Sequence, residues 1–245
     1  MVGSIGIVGY GSFGSLLETL IQRFAPEVGI KIHSSRFAPD DKKFFSLEDV
    51  AECDAVVLCV PIHAFEATLK KVLPHLGAHT VIVDVATVKM YTVEVLKRLA
   101  GERQWVATHP MWGPESYAKT EGDIRGYRVV VAGSTLEPAR KSTLLAFLRT
   151  CGFDVVEMSA EGHDKHLAET LFLTHFVGQA VSRGDFDRTQ IDTVSFGYLM
   201  DATESVKHDT ALFKDVYRYN PYCEEVLARF EAAEAEVHAL LKEGE

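Results

Sequence analysis

Bare apolar runs alternate with amphipathic stretches along the first 157 residues of the chain. The runs "SIGIVGY" (4–10), "GIKIHSS" (ending at Ser35), "DAVVLCV" (54–60), "HTVIVDV" (79–85), "QWVATH" (104–109), "YRVVVAG" (127–133) and "FDVVEMS" (153–159) mostly lack polar/apolar alternation. They therefore predict strands buried on both faces of a parallel sheet. Helical periodicity falls between them, over 12–24, 62–74, 88–100 and 136–150. Strand–helix alternation of this kind predicts an α/β fold with a Rossmann-like, doubly wound, mostly parallel sheet. From about residue 160 the strand signal stops. Helices are expected over 162–183, 188–206 and 221–243, with "NPY" at 220–222 as the break before the last. In that last helix Val226, Phe230, Val237 and Leu241 form one apolar stripe. The expected division is a Rossmann-like domain over 1–159 and a smaller all-α domain over 160–245. So thin a helical layer cannot bury its own apolar faces, so a homodimer through the helical domain is expected.

Composition narrows the function classes. The 245 residues are 47% hydrophobic and 24% charged, an ordinary globular balance. A formal net charge of −10 disfavours nucleic acid and anionic membranes as partners, but not a small anionic ligand. There is no long apolar span and no charged leader before the first strand. Four scattered cysteines without a CxxC fit reduced thiols, and together these features predict a cytoplasmic protein. His163 and His166 form an H-x-x-H, but His175 lies nine residues after His166, about 180° round a helix. That spacing speaks against zinc, and no metal site is expected.

The first chemical motif is "GYGSFG". Gly9, Gly11 and Gly14 have the G-x-G-x-x-G spacing, after a strand and at the opening of an amphipathic helix. Gly9 would allow the turn, Gly11 the approach of a pyrophosphate and Gly14 tight helix packing. Ser12 and Phe13 complete the loop, and the helix N-terminus favours an anion. A dinucleotide is the expected ligand. At the end of the second strand an NAD site usually carries a carboxylate. Here "His33-Ser34-Ser35-Arg36" stands there instead, and the first carboxylate is Asp40. Ser34, Ser35 and Arg36 suit a 2′-phosphate, which predicts NADP rather than NAD.

Two further stretches end sheet strands, where ligands bind in such folds. They are "DVATVK" (84–89) and "THPMWGPES" (108–116); "GHDKHLAETLFLTHFVGQA" (162–180) opens the helical part. With the glycine loop, these segments resemble the prephenate/arogenate dehydrogenase family of tyrosine biosynthesis, over nearly the whole chain. "HPMWGPES", the Ser-Arg after the second strand and "LFKDVYRYNPY" look most like its plant-type, NADP-linked arogenate branch.

The resemblance implies oxidative decarboxylation of a cyclohexadienol: hydride leaves the hydroxyl-bearing carbon and the ring carboxylate departs as CO₂. It also implies roles. His109 matches the catalytic histidine, which accepts the hydroxyl proton. Thr87 stands where the family has a serine in D-x-x-S-V-K, and its hydroxyl can bond the substrate oxygen or orient His109. Lys89 either serves the site or points to solvent from a helix's first turn. Glu115 matches an acidic position of the pocket in some members, or is a surface residue. His175 matches a histidine facing the active site. Glu161, at a helix start, is the candidate counter-ion for the ammonium that distinguishes arogenate from prephenate. One departure stands out: "SFGYLMDATESVKHDTALF" lacks the arginine that binds a substrate carboxylate in many bacterial members. The alternatives are a prephenate-specific NAD(P) enzyme and a non-catalytic NADP-binding sensor on the same fold.

Overall fold

The structure is a computed structural model describing residues 2–243. Its described residues form two compact units, one ending at His163 and the other beginning at Asp164.

The first unit is built on a seven-stranded sheet. β1 (Ser4–Val8), β2 (Gly29–His33), β3 (Ala55–Leu58), β4 (Val81–Asp84), β5 (Trp105–Pro110), β6 (Arg128–Ser134) and β7 (Asp154–Glu157) match the seven predicted runs. Their order is β2-β1-β3-β4-β5-β6-β7. All neighbouring pairs are parallel except β5 with β6, whose register slips by one residue between Ala107 and Thr108. In a Rossmann half the strand after β2 lies outside it. Here that strand is reduced to one parallel bridge, Ile32 to Phe44. "APDDKKF" is too polar to extend it, and Asp40 folds the segment into a turn by accepting the backbone N–H groups of Lys42, Lys43 and Phe44.

Crossover helices cover both faces of the sheet, so strand runs without alternation are satisfied by burial. All four residues of β3 are buried. Between the strands lie α1 (Ser12–Phe24), the short α2 (Leu47–Ala51), α3 (Phe65–Val72), α4 (Lys89–Leu99), α5 (Pro114–Lys119) and α6 (Pro138–Cys151). The largest core cluster packs Phe65, Leu69 and Leu96 on Val56, Leu58, Ile82, Trp105 and Ala107. α6 ends on Gly152 at φ 104°, the left-handed cap that glycine adopts without strain.

Two short helices, α2 and α5, are not marked by sequence periodicity. Five and six residues are too few to show a 3.6-residue repeat.

α7 (Ala160–Leu167) carries the chain from one unit to the next. A π-helical turn (Ala168–Phe172) follows, and then α8 (Leu173–Arg183), α9 (Val194–Val206), α10 (Thr210–Tyr219) and α11 (Cys223–Leu240). α9 begins six residues later than the pattern predicts. Asp192 accepts from the backbone N–H and hydroxyl of Thr189, folding 189–192 into a turn, and Thr193 then caps the helix. α10 was not expected at all. α8 and α9 pack closely at Gly178, where a Cβ would lie 2.4 Å from Val206. The predicted stripe of α11 is only half used. Val226 is buried and Phe230 meets Phe176, but Val237 and Leu241 are exposed.

Candidate functional site

The glycine loop shows what its spacing is for. Gly9 has φ 101°, and a Cβ there would lie 2.2 Å from the Cys59 carbonyl oxygen. A Cβ on Gly14 would meet the Gly9 carbonyl at the same distance. These two glycines let the loop pack against the end of β3. Gly11 differs: nothing lies within 4 Å of its missing Cβ. Its bareness serves no contact within the chain and leaves open space above the start of α1. Gly11 is the N-cap of α1, no side chain caps that end, and no acidic residue occupies its first turn. The N–H groups of the first helical turn, including those of Ser12 and Phe13, are thus left to an outside acceptor, an arrangement that fits a pyrophosphate.

At the end of β2, Ser34 is buried and its hydroxyl accepts the backbone N–H of Arg36. Ser35 and Arg36 are exposed, and the Arg36 guanidinium donates to the Tyr10 carbonyl, which holds it beside the glycine loop. Phe37 and Phe44 stack at 4.6 Å, and each meets Tyr10 edge-on. Lys43 adds a second cation, paired with Glu18 at 2.8 Å.

β1, β3, β4 and β5 run parallel, so His109, near the carboxyl end of β5, sits at the same end of the sheet as the glycine loop. The two are joined physically: Phe13 of the loop packs on Trp112, ring centroids 6.2 Å apart. Trp112 is in turn stacked against Tyr127 and Phe153. Arg23 of α1 donates to the Gly122 carbonyl and the Tyr117 hydroxyl, a second tie from α1 to the segment after β5.

His109 is buried. Its Nδ1 lies 2.9 Å from Nε2 of His163, with the rings edge to face. Burial, then the His163 and Lys89 charges, hold its pKa well below the ordinary 6.5, so the ring is a neutral base across the physiological range. Lys89 is not a solvent-facing residue. It is fully buried, donating to Asp84 Oδ2 at 2.5 Å and to the Thr108 carbonyl at 2.7 Å. Asp84 also accepts the Thr92 hydroxyl and the Ala86 N–H, and the Thr108 hydroxyl donates to the Asp84 carbonyl. This network clamps the backbone immediately before His109. It also explains the register slip in β5: the irregularity falls at the residue whose carbonyl Lys89 holds.

Thr87 is half-buried in the turn from β4 to α4, two residues before Lys89. Glu115 is exposed in the first turn of α5, and Glu161 is exposed in the first turn of α7. His175 lies in the helical unit, buried and stacked on Phe213. Its Nδ1 has no hydrogen-bond partner among the described residues, and burial lowers its pKa. His163, Asp84, Thr92 and Trp112 are site residues that sequence reasoning missed. Asp84 had a signal: it is a carboxylate ending an otherwise apolar strand, five residues before a lysine.

The family model described as prephenate dehydrogenase, nucleotide-binding domain, matches residues 36–130, and a TYRAAT1-like C-terminal domain model matches residues 181–245. Arogenate dehydrogenase 1 (chloroplastic) of Arabidopsis thaliana is 33% identical over 94% of this chain. Over nearly its whole length the chain is similar to arogenate dehydrogenases, and over 36–130 to the nucleotide-binding domain of prephenate dehydrogenases. It spans 38% of that relative's length and 67% of arogenate dehydrogenase 2 (chloroplastic) from the same plant, which is 29% identical over 94% of this chain. Among solved structures, prephenate dehydrogenase from A. aeolicus, in complex with hydroxyphenyl propionate and NAD+, shares the fold. The TM-score is 0.76 at 21% identity, covering 98% of this chain and 91% of that one. That likeness agrees with a dinucleotide-type glycine loop and with a histidine at the end of β5. No described helix is long and apolar enough to cross a membrane.

Proposed function

We propose that the chain is an NADP-dependent dehydrogenase that oxidatively decarboxylates arogenate to tyrosine, or prephenate to 4-hydroxyphenylpyruvate. The observation carrying this reading is His109, a buried neutral imidazole at the same sheet end as the glycine loop and tied to it through Phe13 and Trp112. When bound, the cofactor supplies the hydride acceptor for the hydroxyl-bearing ring carbon. Gly9, Gly11, Ser12, Phe13 and Gly14 would hold its pyrophosphate, and Ser34, Ser35 and Arg36 its 2′-phosphate. His109 takes the hydroxyl proton as the carbonyl forms, and loss of the ring carboxylate as CO₂ makes the ring aromatic. The Lys89–Asp84 clamp keeps the His109 backbone fixed, which preserves the alignment such a step needs. Thr87 is proposed to bond the reacting oxygen, and Glu115, Glu161 and His175 to contact substrate, all on the family pattern. The test is a four-way assay of reduced-cofactor absorbance with arogenate or prephenate and NADP or NAD. Turnover fastest with arogenate and NADP supports the reading. Nucleotide binding without turnover supports a sensor instead.

Two variants sharpen that assay. Arg36→Ala removes the exposed guanidinium and is expected to lower kcat/KM for NADP by about tenfold or more, the worth of a charge-assisted hydrogen bond. NAD should be nearly unaffected; an equal loss with both cofactors would show that Arg36 does not read the 2′-phosphate. Glu161→Gln is expected to lower kcat/KM for arogenate relative to prephenate by about two- to fivefold, the range of an exposed ion pair. An unchanged ratio removes Glu161 as the counter-ion. A homodimer through the helical unit is also proposed, supported by the exposed Ile191, Val194, Tyr198 and Leu241.

A further inference from the structure

We propose that His163 is the positioning residue of His109, fixing its tautomer and ring plane so that Nε2 carries the lone pair presented to substrate. The inference rests on the dehydrogenase reading for its kinetic consequence, but the pairing itself rests on geometry alone. A neutral imidazole has one N–H and one lone pair, and only the lone pair can take a proton. His109 Nδ1 and His163 Nε2 face each other at 2.9 Å, so one of these two nitrogens must donate and the other accept. With Nδ1 of His109 as donor, its Nε2 is left as the base. With the roles reversed, Nε2 would carry hydrogen and the ring could accept nothing there.

The chain builds this contact with care. Ser159, just after β7, accepts the Gly162 N–H on its hydroxyl and the His163 N–H on its carbonyl, starting α7. Ala160 then packs on the core cluster that contains Trp105 and Ala107. One turn further along α7 and two residues further along β5, His163 and His109 meet. Both are buried, and the edge-to-face ring arrangement leaves His109 little freedom to flip. The charged groups around His109 are Lys89 from α4 and its counter-ion Asp84 from β4, with His163 from α7. A carboxylate in the place of His163 would also fix the tautomer, but would draw His109 into its charged form. A second imidazole orients the ring while leaving it neutral. When the substrate O–H bond breaks, the proton forms a new N–H bond at His109 Nε2. The positive charge then strengthens the existing Nδ1–H bond to His163. The proton afterwards passes to solvent and the pair returns to neutral.

The test uses the full chain labelled with ¹⁵N-histidine, together with kinetics. In the native protein His109 is expected as the Nδ1–H tautomer, and His163→Phe should convert it to Nε2–H. That variant should lose about 10–100-fold in kcat with KM little changed, since a wrong tautomer disables a base without removing binding. His163→Gln, which can offer an oxygen where Nε2 stood, should restore the tautomer and bring kcat within about fivefold of native. His163→Glu should move the acid limb of kcat/KM up by about one pH unit or more. An unchanged His109 tautomer in His163→Phe, or Nε2–H in the native chain, overturns the proposal. Equal losses in the Phe and Gln variants with unchanged native-like tryptophan fluorescence do so too. If the tautomer shifts as expected while no variant turns over either substrate, the pairing stands and the dehydrogenase reading fails.

Discussion

Replacing His109 with Asn is expected to lower kcat by about 10²–10⁴, the range for removing a positioned general base. Asn keeps polarity and approximate size but cannot take a proton, so KM for both ligands should change far less than kcat. The pH dependence has a definite sign. The imidazole sits well below its ordinary 6.5 because burial, His163 and Lys89 all oppose its charged form. In the native chain kcat/KM should therefore stay flat as pH falls through 6.5 and drop only at lower pH. Asn in this position should abolish that acid limb along with the rate. Retention of near-full rate by the variant removes His109 from the catalytic role. An acid limb at or above 6.5 contradicts the buried neutral ring. The same depression makes a stability statement. Below about 6.5 the unfolded chain binds a proton at this histidine that the folded chain does not, so stability is fully present above that pH and declines as pH falls.

The second large effect concerns folding rather than chemistry. Lys89→Met leaves the Asp84 carboxylate fully buried without its lysine counter-charge, still accepting the Thr92 hydroxyl and the Ala86 N–H. Breaking one side of a buried pair typically costs about 3–5 kcal/mol. The urea midpoint should fall accordingly, read by tryptophan fluorescence. Trp105 and Trp112 both lie in the first unit, so the signal reports the half that contains the pair. Combining it with Asp84→Asn should recover part of the loss, because the uncompensated charge is gone while an acceptor remains for Ala86. A single variant within about 1 kcal/mol of native would mean that Lys89 adds no net stability. The double variant therefore separates the charge penalty from lost packing of the lysine stem.

Much of this was legible in the sequence because the relevant signals are local. Seven apolar runs became seven strands, most clearly at β3, whose four residues are all apolar and buried. The glycine spacing was legible because backbone collisions at Gly9 and Gly14 act within a few residues of the motif or against the adjacent strand. His109 was found through its segment and its place at a strand end. What escaped depends on separation. His163 lies 54 residues from His109, and nothing in "EGHDKH" announces which ring it will meet. Lys89 was ambiguous because a lysine in a helix's first turn is ordinarily solvated; only the packing of α4 against β5 buries it. α10 was missed although Phe213, Val216 and Tyr217 stand at helical spacing in the sequence: aromatic and β-branched residues are weak helix formers, and here Phe213 and Tyr217 stack on Phe172.

The sheet's two borders have a consequence for behaviour at high concentration. An unpaired strand border is a template on which another chain can add. β7 presents only four residues, with a carboxylate at each end. On the opposite border, β2 is partly engaged by its own chain, which donates the Phe45 N–H to Ile32 and accepts the Ile32 N–H at Lys43. The lost third strand thus leaves a lysine-bearing plug where an intermolecular strand would otherwise seat. Short, charged and self-blocked borders guard this chain against fibrillar stacking.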